Sequence, residues 1–256
     1  MRLRRAIPAD RAAVTGILSR QPALHLPLLA GLERLGDDAG VACWVLSGRG
    51  GPGAVLLYDH GDWSVANPGG ADLYPFIPML RGRAGRLRGE VSAVGAMVRH
   101  IRPGPAAVDR ACLLVRLTPG DAASTAREYP GDLRLLDSGD AALLALPDKE
   151  LAEGMARAGR GGRIAGLFAD GALAALAWTE AEAAGMALLG GIYTVPGRRR
   201  QGWATACLGA FCRFLLAEKL SPLLAYDDPA TGRLAGRFGS TPCGRWREVE
   251  LQNTEA

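Results

Sequence analysis

The sequence is poor in the residues that build metal centres and membrane anchors. Its 256 residues include 5 cysteines and 3 histidines. The cysteines form no C-x-x-C pair and the histidines lie far from them, so we expect no metal site. An odd, scattered set of cysteines indicates reduced thiols in a cytoplasmic protein. The longest apolar stretch near the start, Leu24–Leu32, is too short for a signal peptide or a membrane span.

Aromatic residues are scarce as well, at 6% of the chain against 48% hydrophobic residues. The core is therefore predicted to consist mainly of Ala, Leu and Val. The net charge of +4 suits an anionic small molecule, and would also suit nucleic acid if it lay on one face. Arg81–Arg88 is an arginine-rich segment, but no aromatic residues alternate with the arginines. A nucleic-acid-binding protein is thus a third hypothesis, behind the two developed below.

Turn residues divide the second half of the chain into short strands. Asp170-Gly171 separates the apolar runs Ile164–Ala169 and Ala172–Thr179, which predicts a tight hairpin. Ala184-Gly185 precedes a third apolar run, Met186–Val195. Three consecutive antiparallel strands are expected.

After these strands, the spacing at which apolar residues recur changes from two residues to about four. Over 203–219 the residues Ala204, Leu208, Phe211 and Leu215 recur on one face, which predicts an amphipathic helix. Three further elements follow: a strand at 222–226, a helix at 229–238 with Asp228 as its N-cap, and a strand at 245–251.

The first half follows a similar plan more faintly. Helices are predicted at 10–18, 24–35, 73–81 and 92–101, strands at 43–46, 54–58, 63–66 and 112–117, and a strand or loop at 87–91. The Pro- and Gly-containing segment 118–132 is the best candidate for a boundary. The sequence therefore predicts two tandem domains, 1–125 and 126–256.

The run Gly191–Ala206 carries the clearest chemistry. A strand ends at Pro196, the basic residues Arg198–Arg200 follow, and Gly202 opens the long helix. The free N–H groups and positive dipole end of a helix N-terminus form a natural pyrophosphate site. Glycine at position 202 lets phosphate oxygens approach the backbone.

These residues resemble the signature of the GNAT superfamily of acyltransferases. Arg199-x-x-Gly202-x-Ala204 matches its Arg/Gln-x-x-Gly-x-Gly/Ala motif, and the resemblance extends from about Asp132 to Leu251. It implies a mixed α/β sheet (α+β class) with two central strands that splay apart. The first half resembles a degenerate first unit of a tandem GNAT protein. There Arg86-x-x-Gly89-x-Val91 carries Val91 at the small position, so no second cofactor site is expected.

The resemblance further implies that acetyl-CoA lies between strands 186–195 and 222–226. The implied function is transfer of its acetyl group to a primary amine of a small molecule, amino acid or peptide by direct attack. The implied cofactor-binding residues are Tyr193, Val195, Arg198, Arg199, Arg200, Gln201, Gly202, Trp203, Ala204, Thr205 and Asp228. The protein would act as a monomer, a pseudo-dimer of its two units, or as a homodimer.

One expected catalytic residue is missing. Related proteins carry a tyrosine, the acid that protonates the thiolate, where this sequence has Ala235. Tyr193 and Tyr226 are the alternative acids, and Glu180, with Glu182 near the same turn, is the candidate base. Each has a structural alternative: an aromatic packed at a strand end, or a charge on an exposed hairpin. A catalytically weak or silent CoA-binding or regulatory module is therefore the second hypothesis.

Overall fold

A computed structural model describes residues 1–101, 108–118, 131–137, 140, 152, 156 and 161–252. The chain forms two compact units, Met1–Leu114 with the strand from Cys243 on, and Val115–Pro242. The predicted division at 125/126 placed that closing strand in the second half, and the structure places it in the first unit. Two separately folding domains stay a prediction. Residues 119–130 of the predicted boundary segment lie outside the described residues.

The strands are β1 (Arg2–Arg5), β2 (Val41–Gly48), β3 (Gly51–Asp59), β4 (Asp62–Ala66), β5 (Gly85–Glu90), β6 (Asp109–Arg116), β7 (Asp132–Leu136), β8 (Ile164–Ala169), β9 (Ala172–Ala183), β10 (Met186–Thr194), β11 (Ser221–Tyr226) and β12 (Thr241–Leu251). The α-helices are α1 (Arg11–Leu18), α2 (Leu26–Glu33), α3 (Ile77–Leu80), α4 (Val91–Val98), α5 (Trp203–Ala217) and α6 (Pro229–Gly236). The predicted mixed α/β sheet is confirmed. No helix in the described part of the chain combines the length and the hydropathy needed to cross a membrane.

The first unit is built on a mixed sheet in the order β1-β2-β3-β4-β5-β12-β6. β4 and β5 pair in parallel, and β12 pairs antiparallel with β5. The closing strand contributes Val249 and Leu251 to a core that also contains Trp63, Phe76 and Leu87. The final strand of the sequence is therefore part of the hydrophobic core of the first unit.

The second unit has the strand order β11-β10-β9-β8-β7. Its two hairpins turn through paired positive φ angles, 53° and 74° at Asp170-Gly171 and 49° and 69° at Ala184-Gly185. Consecutive positive φ values match the right-handed twist of the flanking strands, as the sequence predicted for the first hairpin. These hairpins place β8, β9 and β10 side by side.

The parallel strands β10 and β11 are connected by helix α5, which crosses over one face of the sheet. Leu208, Phe211 and Leu215 of the predicted apolar face are fully buried. Ala204, the first member of that face, is only half-buried because it lies where the helix begins. The helix thus starts beyond the carboxyl end of β10 and packs along one face of the sheet.

Candidate functional site

The parallel strands β10 and β11 of the second unit are paired only along the first part of β10. Parallel pairing runs from Met186 opposite Ser221 to Leu189 opposite Leu224, while β10 continues to Thr194. At the same point the register between β10 and β9 shifts twice, on either side of Leu189. Such a bulge bends a strand and increases its twist. The parallel pairing with β11 ends at this bulge, as expected for the predicted splay of the two strands.

A tryptophan fills the space above this bend. An added Cβ at Gly190 would lie 2.5 Å from Nε1 of Trp178, and one at Gly191 would overlap the six-membered ring of the same indole. Trp178 is only 6% exposed. The two consecutive glycines are therefore required by the close approach of the indole to the backbone of β10.

A buried hydroxyl holds the bulge from the side of β9. Thr179, which is fully buried, donates its hydroxyl proton to Oε1 of Glu182 at 2.6 Å. The Thr179 hydroxyl oxygen in turn accepts the backbone N–H of Arg163 at 2.8 Å. The Arg163 guanidinium is 3.3 Å from the second oxygen of Glu182. These bonds connect the start of β8 to the irregular segment of β9.

The loop that follows β10 ends in an unobstructed helix N-terminus. A 3-10 turn over Pro196–Arg198 leads to Arg200 and Gly202, whose φ angles are +61° and +87°. Gly202 is the N-cap of α5, and no side chain caps the helix there. The first hydrogen bond of the helix runs from Ala206 N–H to Gly202 O at 3.0 Å. The N–H groups of Ala204 and Thr205 precede it in the first helical turn, where a backbone N–H has no intrahelical acceptor and can bind an anion.

A cleft of about 570 Å³ opens at this helix N-terminus. Most of the residues that line it were predicted for the cofactor: Tyr193, Arg199, Arg200, Gly202, Trp203, Ala204 and Thr205. Sequence reasoning missed Ile192, Thr194 and Arg237. Ile192 and Thr194 flank the predicted Tyr193 in the same strand. Arg237 lies two residues after Ala235, the position at which related proteins carry a tyrosine.

The four arginines near the cleft have different surroundings. Arg198 lies over the Trp203 ring at 5.5 Å and 3.7 Å from the carboxylate of Asp170. Arg199 donates from Nε to the carbonyl oxygen of Thr194 at 3.2 Å. Arg200 and Arg237 both line the cleft.

Four predicted cofactor-binding residues are not among those that line the cleft. They are Val195, Arg198, Gln201 and Asp228. Val195 donates its N–H to Ala174 O at 3.1 Å, and the Gln201 amide bonds Gly197 O at 3.2 Å. Both residues stabilise the loop itself.

Asp228 caps helix α6, as its sequence context predicted. Its carboxylate accepts the N–H groups of Ala230 and Thr231 at 2.9 and 2.8 Å. Hydrogen bonds from the side chain of Thr231, which has the largest effect, and from its backbone hold the pKa of this carboxyl below its ordinary value. The observed role of Asp228 is to start a helix at the end of β11.

The candidate catalytic residues do not converge on one point. Tyr193 lies in the cleft wall with the Arg199 guanidinium 5.8 Å from its ring. Glu180 lies on the same face of β9 as Trp178, with its Cβ 3.1 Å from the position of a Cβ on Gly190. The Tyr226 ring packs on Gly232 of α6. Ala235 is fully buried. Of these candidates only Tyr193 lines the cleft.

Unit one connects its own parallel strands differently. The segment between β4 and the 3-10 turn Tyr74–Phe76 is closed by Asn67, which bonds both the N–H and the C=O of Ala71. The motif-like Arg86-x-x-Gly89 lies within strand β5 rather than in that connection, which corrects the comparison drawn from sequence. Arg86 forms ion pairs with Asp62 and Glu248 at 3.0 and 3.3 Å.

Cysteine chemistry plays no visible part in the cleft. Burial raises the pKa of Cys207 and of Cys212 in α5 to about 12, so both are protonated, small apolar side chains at neutral pH. Within the described residues no group of three or more His, Cys, Asp and Glu side chains is placed to hold a metal ion.

Comparison with known proteins shows likeness at the level of structure. No protein-family model matches the sequence, and no curated protein is significantly similar to it. A GCN5-related N-acetyltransferase-like protein from Streptococcus suis 89/1591 aligns with a TM-score of 0.68 and 13% identity, over 96% of this chain and 100% of that one. A GCN5-related N-acetyltransferase from Sphaerobacter thermophilus gives 0.58 and 18%, over 97% and 94%.

A tandem GNAT protein from the clavulanic acid biosynthesis pathway, in a structure without AcCoA, aligns over 100% of both chains with a TM-score of 0.59 and 15% identity. At such identities the likeness establishes the fold alone. The resemblance inferred from Arg199, Gly202 and Ala204 is thereby confirmed for the fold. The chain has the fold of the GCN5-related N-acetyltransferases, and it matches a tandem member of that group over its whole length.

Proposed function

We propose that the second unit binds acetyl-CoA and transfers its acetyl group to a primary amine of a small molecule, amino acid or peptide. The observation that carries the proposal is the uncapped N-terminus of α5, which opens into the cleft beside the diverging end of β10. A pyrophosphate requires N–H donors and positive charge. The helix start supplies the donors, and Arg200 supplies charge at the same place.

The diverging strand supports the other half of the ligand. Beyond Leu189, β10 has no described pairing to β11, although it remains extended to Thr194. An extended pantetheine arm carries amide groups that can pair with such a strand edge as a neighbouring strand would. A backbone N–H of the same edge would polarise the thioester carbonyl. In this proposal the thioester would lie between β10 and β11, and the phosphates would lie at the N-terminus of α5.

The reaction itself exchanges one bond for another. The amine nitrogen forms a bond to the thioester carbon, the carbon–sulfur bond breaks, and the thiolate takes up a proton while the amine loses one. We assign Tyr193 as the candidate acid, because it lines the cleft, and Glu180 as the candidate base. Loss of one acid commonly lowers a rate by about 10²–10⁴-fold, so Ala235 predicts slow rather than absent transfer.

The binding test compares two glycines of the same loop. In isothermal titration the wild-type protein is expected to bind acetyl-CoA in the micromolar range. Gly202→Glu should abolish binding, because it places a carboxylate at the helix N-terminus and a side chain where φ is +87°. Gly197→Glu adds the same charge to the same loop, has open space around it, and should leave binding unchanged. Wild-type protein that binds neither acetyl-CoA nor CoA would refute the proposal.

Turnover is tested separately. Thiol release is measured with a broad panel of amines, and release above background hydrolysis with any amine supports a transferase. Binding without turnover across the panel would identify the silent CoA-binding module instead. We place the protein in the cytoplasm, as a monomer or a homodimer; light scattering after size-exclusion chromatography separates these two states.

A further inference from the structure

Arg237 enters the cleft from a different element than the other arginines. It directly follows helix α6, and it lines the cleft together with Thr205 of α5. Its Nη1 is 3.5 Å from the Thr205 hydroxyl oxygen. That partner is neutral, and among the described residues no carboxylate forms an ion pair with the guanidinium. Thr205 is the third residue of α5, so the pair lies within the first turn of the helix.

The backbone around Arg237 is held by packing rather than by the ligand. Its neighbours Ala235 and Phe238 are 0% and 2% exposed. The Phe238 ring lies 3.2 Å from the position of a Cβ on Gly209 of α5. The Thr118 hydroxyl donates to the carbonyl oxygen of Gly239. The guanidinium is therefore carried by a fixed segment, and binding an anion there requires little ordering of the main chain.

The order of groups in coenzyme A then assigns the site. The molecule runs from the thiol through pantetheine and pyrophosphate to a ribose that carries a 3′-phosphate monoester. With pantetheine along β10 and pyrophosphate on the N–H groups of Ala204 and Thr205, the next anionic group is the 3′-phosphate. We propose that Arg237, with the hydroxyl of Thr205, binds this 3′-phosphate and makes the protein select CoA over dephospho-CoA. This inference rests on the proposed function.

The pair has the chemistry that a phosphate monoester requires. A guanidinium forms two parallel hydrogen bonds to phosphate oxygens, and the hydroxyl supplies a third donor. A hydrogen bond to a charged group contributes about 1.5–3 kcal/mol, which corresponds to roughly a 10- to 100-fold change in affinity. Arg237→Ala is therefore expected to weaken CoA binding by about that factor.

The experiment is a comparison of two ligands on four proteins. CoA and dephospho-CoA are titrated calorimetrically into wild type, Arg237→Ala, Thr205→Val and Arg233→Ala. Arg237→Ala should lose affinity for CoA but bind dephospho-CoA within about twofold of wild type. Thr205→Val should lose the same preference to a smaller degree. Arg233 is an exposed arginine of α6 that does not line the cleft, so its variant should match wild type for both ligands.

The outcomes separate this inference from the proposed function. If wild type binds neither ligand, the proposed function fails and the inference with it. If wild type binds both equally, or if Arg237→Ala weakens both by the same factor, only the assignment of the 3′-phosphate is overturned. The thermal midpoint of each variant is measured first. Should Arg237→Ala fail to fold, Thr205→Val on the α5 side of the pair decides the question by the same comparison.

Discussion

Replacing Gly191 by alanine tests how closely β10 and Trp178 are packed where the central strands separate. The added Cβ would overlap Cζ2 and Cη2 of the indole and lie 3.0 Å from its Cε2. The indole is 6% exposed, so it has no open space to move into. Either the ring leaves its site or the strand shifts.

The magnitudes decide between these responses. Expelling a tryptophan exposes roughly 150–250 Å² at about 25 cal/mol per Å², or about 4–6 kcal/mol. Overpacking that is absorbed by small backbone shifts costs about 1–3 kcal/mol. The strand shift is the cheaper response, and we expect Gly191→Ala to lower the free energy of unfolding by that amount. Because the shift occurs in β10, acetyl-CoA binding should weaken with it.

The assay is urea unfolding followed by circular dichroism, with a matched control and a double variant. Gly197→Ala changes a glycine with nothing within 4 Å of its added Cβ, and should stay within about 0.5 kcal/mol of wild type. Trp178→Phe removes the ring atoms that Gly191→Ala would strike. In that background the alanine should cost at least about 1 kcal/mol less, which is a coupling that only neighbours show.

Two results would refute the reasoning. One is a Gly191→Ala protein as stable as the Gly197→Ala control. The other is additivity, in which the alanine costs the same with tryptophan and with phenylalanine at position 178, to within about 0.5 kcal/mol. Either would mean that the indole does not occupy the space above the bulge.

Two further variants test the supports of the site. Thr179→Val should lower the free energy of unfolding in urea by about 1–3 kcal/mol, because the Arg163 N–H and the Glu182 carboxylate lose their hydrogen bonds to the hydroxyl. Thr179→Ser keeps the hydroxyl and should recover most of that stability. Equal losses in the two variants would contradict this account. Asp228→Ala should cost about 0.5–2 kcal/mol at neutral pH. Hydrogen bonds from Thr231, the largest effect coming from its side chain, lower the pKa of Asp228 in the folded state. The stabilisation that the Asp228 carboxylate gives the protein is therefore complete above the ordinary carboxyl pKa, and it is lost as the pH falls through the pKa of the folded state. The wild-type advantage over Asp228→Ala should therefore disappear in acid, and a difference that persists there would count against the cap.

Local features of the fold were predictable because local residues determine them. Asp170-Gly171 predicts its turn, since few residue pairs tolerate two consecutive positive φ angles. The spacing of Leu208, Phe211 and Leu215 predicts the buried face of α5. The cap at Asp228 follows from the same kind of short-range hydrogen bonding. In each case the interacting groups lie within a few residues of each other.

Other features depend on partners far away in the chain. The alternation of apolar and polar residues predicts that β12 is a strand. Its pairing with β5 of the first unit depends instead on which strand edge is open to it, and that edge is formed by residues far away in the chain. Arg198, Arg199 and Arg200 look equivalent in sequence. In the structure Arg198 contacts Trp203 and Asp170, whereas Arg199 and Arg200 both line the cleft and Arg199 also bonds the Thr194 carbonyl oxygen.

The sequence by itself determined the order of elements from β8 to β12, with the hairpins, the amphipathic helix and the loop that opens it at Gly202; it did not indicate strands β1 and β7. The predicted features follow from turn chemistry, hydrophobic period and the conformational freedom of glycine, all of which act within a few residues. Tertiary structure alone decided that the pairing of β10 with β11 ends at a bulge under Trp178, and that Arg237 meets Thr205 in the cleft. The physical reason is that packing across the sheet and between helices sets these distances, and packing joins residues whose separation in sequence carries no signal.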